Sequence, residues 1–253
     1  MGESAIVLVT GGGTGIGLAG AKELAAAGLT VMIAGRRAEV LEQAVEEIVA
    51  HAPAAVVTAI PADLADGDQA AGLVARVIAD HGRLDALVLS HGVLDVTPFD
   101  ELTLAAWDEM LDITLRGSVA CLLPAARQMK AQGAGRIVIV TSVSGLVSDP
   151  GMAHYNASKA ALNSLVKSIA VDLGRDGVTI NAIAPGWVRT PMISSFLDEA
   201  GEDFMRAINP LGRSSKPEEI ANFIRYLVTA APTALTGEVV RLDQGQLAMA
   251  HRH

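Results

Sequence analysis

The sequence is poor in cysteine, in aromatic residues and in positive charge, and these shortages exclude several classes of protein. Cys121 is the only cysteine among 253 residues, so no intrachain disulfide can form and we expect a reducing compartment, the cytoplasm. Lysine and arginine number 19 against 28 acidic residues, which gives a formal net charge of −9. A nucleic acid or an anionic membrane surface is therefore not expected as a partner.

Signals for membranes, secretion and metals are also missing. No uninterrupted apolar run is long enough to span a bilayer. Residues 1–4 contain no basic stretch, so we expect no signal peptide. The acidic residues and histidines show no metal-ligand spacing, and the segment 245–253, which ends in His-Arg-His, is too sparse to predict a metal site.

The residues that are present favour an α/β fold. Apolar residues make up 51% of the chain and aromatic ones 3%, a balance that suits parallel strands buried on both faces between helices. Strand patterns occur at residues 5–10, 30–34, 54–60, 84–89, 136–140, 178–183 and 238–242. Helix patterns lie between them, from the end of the glycine turn at residue 17 through residue 27 and at residues 40–50, 69–80, 102–130, 152–173 and 218–228, with Pro124 as a candidate kink.

This alternation predicts one doubly wound, Rossmann-type parallel sheet of about seven strands with helices on both faces. We expect residues 1–253 to form a single domain. The segment 192–215 is the longest one without strand character, and we predict that the stretch around 190–215 is a substrate lid with helical pieces.

A glycine-rich turn follows the first predicted strand. Five of the seven residues from Gly11 to Gly17 are glycine, which is too many for an ordinary strand–helix turn. Strand, glycine turn and helix start in this order form an anion site, where backbone N–H groups and the helix dipole point at one place. We expect a dinucleotide pyrophosphate here. The predicted contacts are Gly11, Gly13, Thr14, Gly15, Ile16 and Gly17.

The ends of the next two strands predict which dinucleotide binds. An NAD site would have an acidic residue after the second strand, but Arg36 and Arg37 stand there. A guanidinium suits the 2′-phosphate of NADP; the alternatives are NAD, or a solvated start to the next helix. Asp63 follows the third strand, where it accepts from an adenine amino group or caps the helix that begins near Asp66.

Tyr155 and Lys159 are four positions apart in a predicted helix, on the same face. Two unit charges about 4 Å apart at an effective dielectric of ~20 attract by roughly 4 kcal/mol, on the order of three pKa units. We therefore predict that Lys159 lowers the pKa of Tyr155, so that the phenol exchanges a proton with an alcohol or alkoxide. Ser142 is predicted to hydrogen-bond the same oxygen. A solvated Lys159 on an amphipathic helix is the alternative.

Taken together, these residues resemble the short-chain dehydrogenase/reductase family along essentially the whole chain. The resemblance is carried by Thr10 with Gly11, Gly15, Ile16 and Gly17; Asp63-Leu64; Ser142 thirteen residues before Tyr155; Tyr155 with Lys159; Pro185-Gly186 with Thr190; Trp107 with Gly117; and residues 210–213 before 217–221.

The resemblance implies roles for these residues. Tyr155 would be the general acid/base, Lys159 would lower its pKa and bind the nicotinamide ribose, and Ser142 would orient the substrate oxygen. Further cofactor contacts would come from Asp63, Leu64, Ser90, Gly92, Pro185, Gly186, Val188 and Thr190. The resemblance also implies NADP as the cofactor, a small carbonyl or alcohol substrate, a cytoplasmic location, and a homotetramer or dimer.

Three positions depart from the family pattern. Thr114 stands where the family has an asparagine that helps to hold a water in the proton relay. We include Thr114 among the predicted catalytic residues, although its side chain has no amide. His91 stands in Ser90-His91-Gly92 instead of Asn-Ala-Gly, either as a second titrating group or as a satisfied packing residue. Gln244 replaces a glycine. These departures keep a second hypothesis open, a dinucleotide-binding redox sensor without catalytic activity.

Overall fold

The protein was analysed as a computed structural model that describes residues 4–249. Residues 1–3, where no signal peptide is expected, and residues 250–253, at the His-Arg-His end, lie outside the described residues. The strands are β1 (Ile6–Thr10), β2 (Thr30–Gly35), β3 (Val57–Pro61), β4 (Ala86–Leu89), β5 (Gly135–Val140), β6 (Val178–Pro185) and β7 (Val239–Leu242).

Eight α-helices are described between and after these strands. They are α1 (Gly15–Ala26), α2 (Ala38–His51), α3 (Gly67–His81), α4 (Leu104–Leu111), α5 (Gly117–Gln132), α6 (Ala153–Leu173), α7 (Ser194–Ile208) and α8 (Pro217–Thr229). None of the described helices combines the length and the apolar character needed to cross a bilayer.

The seven strands form one parallel sheet in the order β3-β2-β1-β4-β5-β6-β7, which confirms the predicted fold class. The chain moves outward from β1 to β3 and then crosses over to β4 on the other side of β1. This reversal opens a crevice at the carboxyl ends of β1 and β4, the place where open α/β sheets bind ligands.

Each face of the sheet carries its own hydrophobic core, because successive side chains of a strand point to opposite faces. Leu8 and Leu87 belong to the core that is covered by α3, α5 and α6. Val7 and Val88 belong to the core that is covered by α1, α2 and α8. The central strands are buried on both faces between helices, so the loops at their carboxyl ends are presented from a packed core.

The prediction of one continuous α-helix over residues 102–130 is wrong in the middle of that range. The structure has α4, then a π-helical turn at Asp112–Arg116, then α5, which continues through Pro124. The irregularity therefore lies in the π turn. Several strand and helix ends also shift by one to three residues, and β3 begins at Val57 rather than at residue 54.

The segment predicted as a lid contains α7, interrupted by non-helical backbone at Gly201, which confirms its helical pieces. Its base is closed by a parallel bridge between Val188 and Ser215, and the Ser215 amide donates to the Trp187 carbonyl at 2.8 Å.

Candidate active site

The turn between β1 and α1 presents backbone groups at the carboxyl end of the sheet. Gly11 has a φ of 65°, a conformation that favours glycine. A Cβ on Gly11 would come within 2.8 Å of the Ser90 carbonyl oxygen, and one on Gly17 would collide with the Gly11 carbonyl. Thr14 precedes α1 without a side-chain cap, so the first N–H groups of this helix have no such acceptor. The turn fits a bound phosphate group.

One cleft beside this turn brings together most of the predicted nucleotide-binding residues. Its wall contains Gly11, Gly13, Thr14, Gly15, Ile16, Gly17, Arg36, Arg37, Asp63, Leu64, Ser90, Gly92, Tyr155, Lys159 and Thr190. The wall does not include Pro185, Gly186 or Val188. Val188 is buried against its bridge to Ser215, and a Cβ on Gly186 would meet the Gln244 side chain at 2.8 Å.

Sequence reasoning missed several residues of the wall, among them Val40, Leu41 and Ile113. A Cβ on Gly13 would stand 3.1 Å from the Val40 methyl carbon Cγ1, so α2 packs directly on the glycine turn. Val40 is the third residue of α2, and its place in the first turn of the helix that follows Arg36 and Arg37 could have identified it. Ile113 could not be identified in this way, because it lies in the unpredicted π turn.

Arg36 and Arg37 follow β2 and are exposed at one end of the cleft. Within residues 4–249 neither guanidinium makes an ion pair or a side-chain hydrogen bond, and Arg37 does not cap α2. Two cations without a carboxylate partner at this place fit a phosphate group on the adenosine ribose.

Asp63 lies on the cleft wall and does not cap α3. Its Oδ1 accepts from the Ala65 amide at 3.0 Å. The helix cap is Asp66, whose carboxylate accepts from the Asp68 and Gln69 amides, and these bonds with Gln69 and Asp68 lower the pKa of Asp66. The predicted cap role of Asp63 is therefore wrong, and the Asp63 carboxylate keeps lone pairs for a ligand.

Ser142, Tyr155 and Lys159 meet beside the cleft. Ser142 lies two residues after β5, where its Oγ accepts from the Ser144 amide at 3.0 Å, and its proximity to the Tyr155 phenol favours the ionised phenol. Lys159 is buried, its Nζ donates to the Val140 carbonyl at 3.1 Å, and Nζ lies 5.7 Å from the centre of the Tyr155 ring. The alternative of a solvated lysine is therefore wrong.

The expected lowering of the Tyr155 pKa is not found. Burial raises the pKa of Tyr155, and the hydrogen bond from Ser142 only partly offsets it. Burial also lowers the pKa of Lys159 to about 8. The sequence argument counted the attraction between the two groups and omitted the cost of removing each charge from water, which here is the larger effect.

Two of the three departures from the family pattern, His91 and Thr114, meet in one hydrogen-bonded network, and His91 also lines the cleft. His91 Nδ1 lies 2.7 Å from Thr10 Oγ1, and its Nε2 lies 3.3 Å from Ser118 Oγ. The Ser118 hydroxyl donates to the Thr114 carbonyl at 2.7 Å. Burial and the nearby Lys159 charge lower the pKa of His91 to about 3. His91 is thus a neutral, satisfied packing residue.

Thr114 itself is fully buried in the π turn. Its hydroxyl points at the Met110 sulfur, 3.7 Å away. A Cβ on Gly92 would lie 3.7 Å from the Thr114 hydroxyl oxygen and 3.5 Å from Lys159 Nζ, so Thr114 stands beside Lys159 but outside the cleft wall.

The arrangement agrees with comparisons to known proteins. Residues 11–246 match a family described as enoyl-(acyl carrier protein) reductase, and several matching proteins are named as short-chain reductases or dehydrogenases. The chain belongs to the short-chain dehydrogenase/reductase family, and its fold and the oxidoreductase class follow from that membership.

Individual relatives differ in their names. The chain is 34% identical to a 3-oxoacyl-[acyl-carrier-protein] reductase of Synechocystis, over 96% of both chains. It is 35% identical to a cis-4-hydroxycyclohexanecarboxylate dehydrogenase of Sinomonas cyclohexanicum, over 96% of this chain and 97% of the relative. Among solved structures, a levodione reductase superposes with a TM-score of 0.93 at 32% identity, over 97% and 98% of the two chains. A 3-oxoacyl (acyl-carrier-protein) reductase from Agrobacterium tumefaciens C58, solved with NADP bound, superposes with a TM-score of 0.90 at 29% identity. The match covers 95% of this chain and 93% of that one.

Proposed function

We propose that this protein transfers a hydride between NADP(H) and a ketone or secondary alcohol, with Tyr155 as the general acid/base. The observation that carries the proposal is that Tyr155 and Lys159 line the cleft that also contains the glycine turn, with Ser142 next to the Tyr155 phenol. Two of the relatives are named as a reductase and a dehydrogenase, which supports the same reaction class.

The residues of the chain act on the substrate oxygen and on the cofactor ribose. NADP, when bound, supplies or accepts the hydride. The Tyr155 hydroxyl gives its proton to the forming alkoxide in reduction and takes one from the alcohol in oxidation. Ser142 orients the same oxygen. Lys159 uses one of its three N–H donors on Val140, which leaves two for ribose hydroxyl groups.

Replacement of Tyr155 by phenylalanine tests the acid/base role. We expect Tyr155→Phe to lower kcat by at least about a hundredfold, the typical contribution of general acid catalysis, because the ring remains and only the proton donor is lost. The dissociation constant for NADPH, measured by fluorescence titration, should change less than threefold. Full turnover in this variant would contradict the assignment, and tight NADPH binding without turnover of any carbonyl or alcohol compound would favour the redox-sensor alternative.

Replacement of Arg36 tests the cofactor preference. We expect the native protein to show a higher kcat/KM with NADPH than with NADH, because two unpaired guanidinium groups stand at the adenosine end of the cleft. In Arg36→Ala, kcat/KM with NADPH should fall at least tenfold, which corresponds to the loss of about 1.4 kcal/mol from one charge-assisted hydrogen bond. The kcat/KM with NADH should change little. A native preference for NADH would contradict NADP as the cofactor.

We also propose that the protein works as a homo-oligomer, a dimer or a tetramer, in the cytoplasm. Large apolar side chains are exposed on the outer sides of three helices, at Leu104 on α4, Leu123 on α5 and Val171 on α6. Contiguous apolar patches mark interaction sites, and we propose that these residues belong to such a patch. The single thiol, Cys121, is buried and its pKa is raised to about 12, so it remains protonated and fits a reducing compartment.

A further inference from the structure

Three of the eight aromatic residues of the chain form one cluster. The ring centres of Trp187 and Phe196 are 5.2 Å apart and the rings are nearly parallel, with 19° between their planes. Phe204 meets both rings edge-on, at 5.5 Å from Trp187 and 5.6 Å from Phe196. The distances and angles are those of favourable aromatic pairs, so the three rings form one packed apolar surface.

The cluster belongs to the segment that reaches the cleft wall. Trp187 follows β6 by two residues, and the segment continues through Thr190 and Met192, which share the cleft wall with Tyr155. Phe196 and Phe204 follow on α7. Phe196 is 44% exposed and Met192 is 54% exposed, so part of this apolar surface is open beside the cleft and available to a substrate.

Charged groups for an anionic substrate are committed elsewhere. Arg189, just before the lid segment, and the two arginines within it each pair with a carboxylate: Arg189 with Asp198 at 2.6 Å, Arg206 with Glu202 at 2.8 Å, and Arg213 with Glu219 at 2.7 Å. The loops after β4 and β5, at residues 93–99 and 143–152, contain two aspartates and no lysine or arginine. The mouth of the site therefore offers apolar surface and acidic groups.

We propose that the substrate is a neutral ketone or secondary alcohol whose carbon skeleton is an apolar ring system. It reaches the site as a free molecule, without a carrier protein, and binds against Trp187, Phe196 and Phe204. This inference rests on the function proposed above and narrows its substrate class. A ring skeleton buries a broad area on an aromatic surface. It also loses less conformational entropy on binding than a flexible acyl chain, because it has fewer rotatable bonds. An acyl group delivered on an acidic carrier protein would meet acidic loops on a chain whose net charge is −9, which disfavours docking.

A matched set of substrates tests the proposal. NADPH oxidation is followed with 2-decalone, a neutral bicyclic ketone; with 4-oxocyclohexanecarboxylate, a ring ketone with a carboxylate; with a 3-oxooctanoyl pantetheine thioester; and with the same acyl group on acyl carrier protein. We expect kcat/KM for decalone to exceed each of the others at least tenfold. A preference for the carboxylate or for either thioester overturns this inference and leaves the oxidoreductase proposal intact, whereas no Tyr155-dependent turnover of any compound overturns both.

Variants then locate the binding surface. Trp187→Leu should raise KM for decalone at least fivefold, with KM for NADPH within twofold of native, because only the ring surface is lost. Phe196→Leu, at an exposed position, should act in the same direction without risk to folding. The control is Tyr226→Leu, which removes a ring stacked on Phe223 at 5.6 Å in α8 and should change neither KM. Unchanged decalone KM in both lid variants, or an equal rise in the control, overturns the role of the cluster.

Discussion

At the scale of single residues, burial decides the protonation of the catalytic groups. Lys159 is almost fully buried, and its pKa of about 8 lies well below the usual 10.5. The pKa of Tyr155 is raised and that of His91 falls to about 3. Near neutral pH the site thus holds a charged lysine, a protonated phenol and a neutral imidazole. The phenol is ready to give a proton, the state that ketone reduction needs.

The buried ammonium should cost the fold stability, and Lys159→Met tests this. The shift from 10.5 to about 8 corresponds to about 3 kcal/mol at most, at ~1.4 kcal/mol per unit. Since the pKa is lower in the folded chain, the cost is fully present below pH 8 and is relieved as the pH rises towards 10.5. We expect the variant to be more stable than the native protein at pH 7 in urea unfolding, and to lose this advantage by pH 10.5.

Lys167→Met is the control for this prediction, because Lys167 is exposed on the same helix and should change stability little at either pH. Turnover should vanish in Lys159→Met and persist in Lys167→Met. A Lys159→Met protein that is less stable than native at pH 7 would show that the bond to Val140 outweighs the desolvation cost.

At the scale of elements, the sequence predicted what local patterns encode and missed what depends on packing. The seven strands, the glycine turn and the helix that carries Tyr155 all follow from hydrophobic period, glycine content and spacing. The π turn at 112–116 does not, because its residues have an ordinary helical pattern. Likewise the sign of the Tyr155 pKa shift depends on burial, and the pairing of His91 with Ser118 joins two segments that are 27 positions apart.

The junction between the π turn and α5 depends on close backbone approach. A Cβ on Gly117 would overlap the carbonyl oxygen of Leu64, which lies on the cleft wall in the loop after β3. We expect Gly117→Ala to destabilise the protein by about 1–3 kcal/mol, as overpacking does, and to weaken NADPH binding because Leu64 must move. Thermal unfolding and fluorescence titration measure the two effects.

Gly72→Ala is the matched control for Gly117→Ala. Gly72 lies within α3 and a Cβ there would meet nothing within 4 Å, so alanine should stabilise the helix by about 0.5–1 kcal/mol. NADPH affinity should not change. If Gly117→Ala bound NADPH as tightly as this control, the contact with Leu64 would not position the adenine side of the cleft.

At the scale of the whole molecule, the parallel sheet assembles a site from distant parts of the chain. Gly11, Arg36, Ser90, Tyr155 and Thr190 meet in one cleft because every strand carries its following loop to the same edge. The helices on the outside of this sheet need not contribute to the cleft. Their outer surfaces are therefore free to serve contacts between copies of the chain, and α4, α5 and α6 expose apolar residues there.

Charged substitutions on these outer surfaces test assembly. Leu123 is 53% exposed and Val171 82% exposed, so Leu123→Glu/Val171→Glu should leave the hydrophobic cores intact while placing two carboxylates where a second copy would pack. We expect native protein to elute as a dimer or tetramer in size-exclusion chromatography with light scattering, and the double variant to have a lower mass. Val56→Glu, at a 60% exposed position beside the edge strand β3, should keep the native mass. A native protein that is monomeric at micromolar concentration would contradict the oligomer, and the exposed apolar residues would then need another explanation.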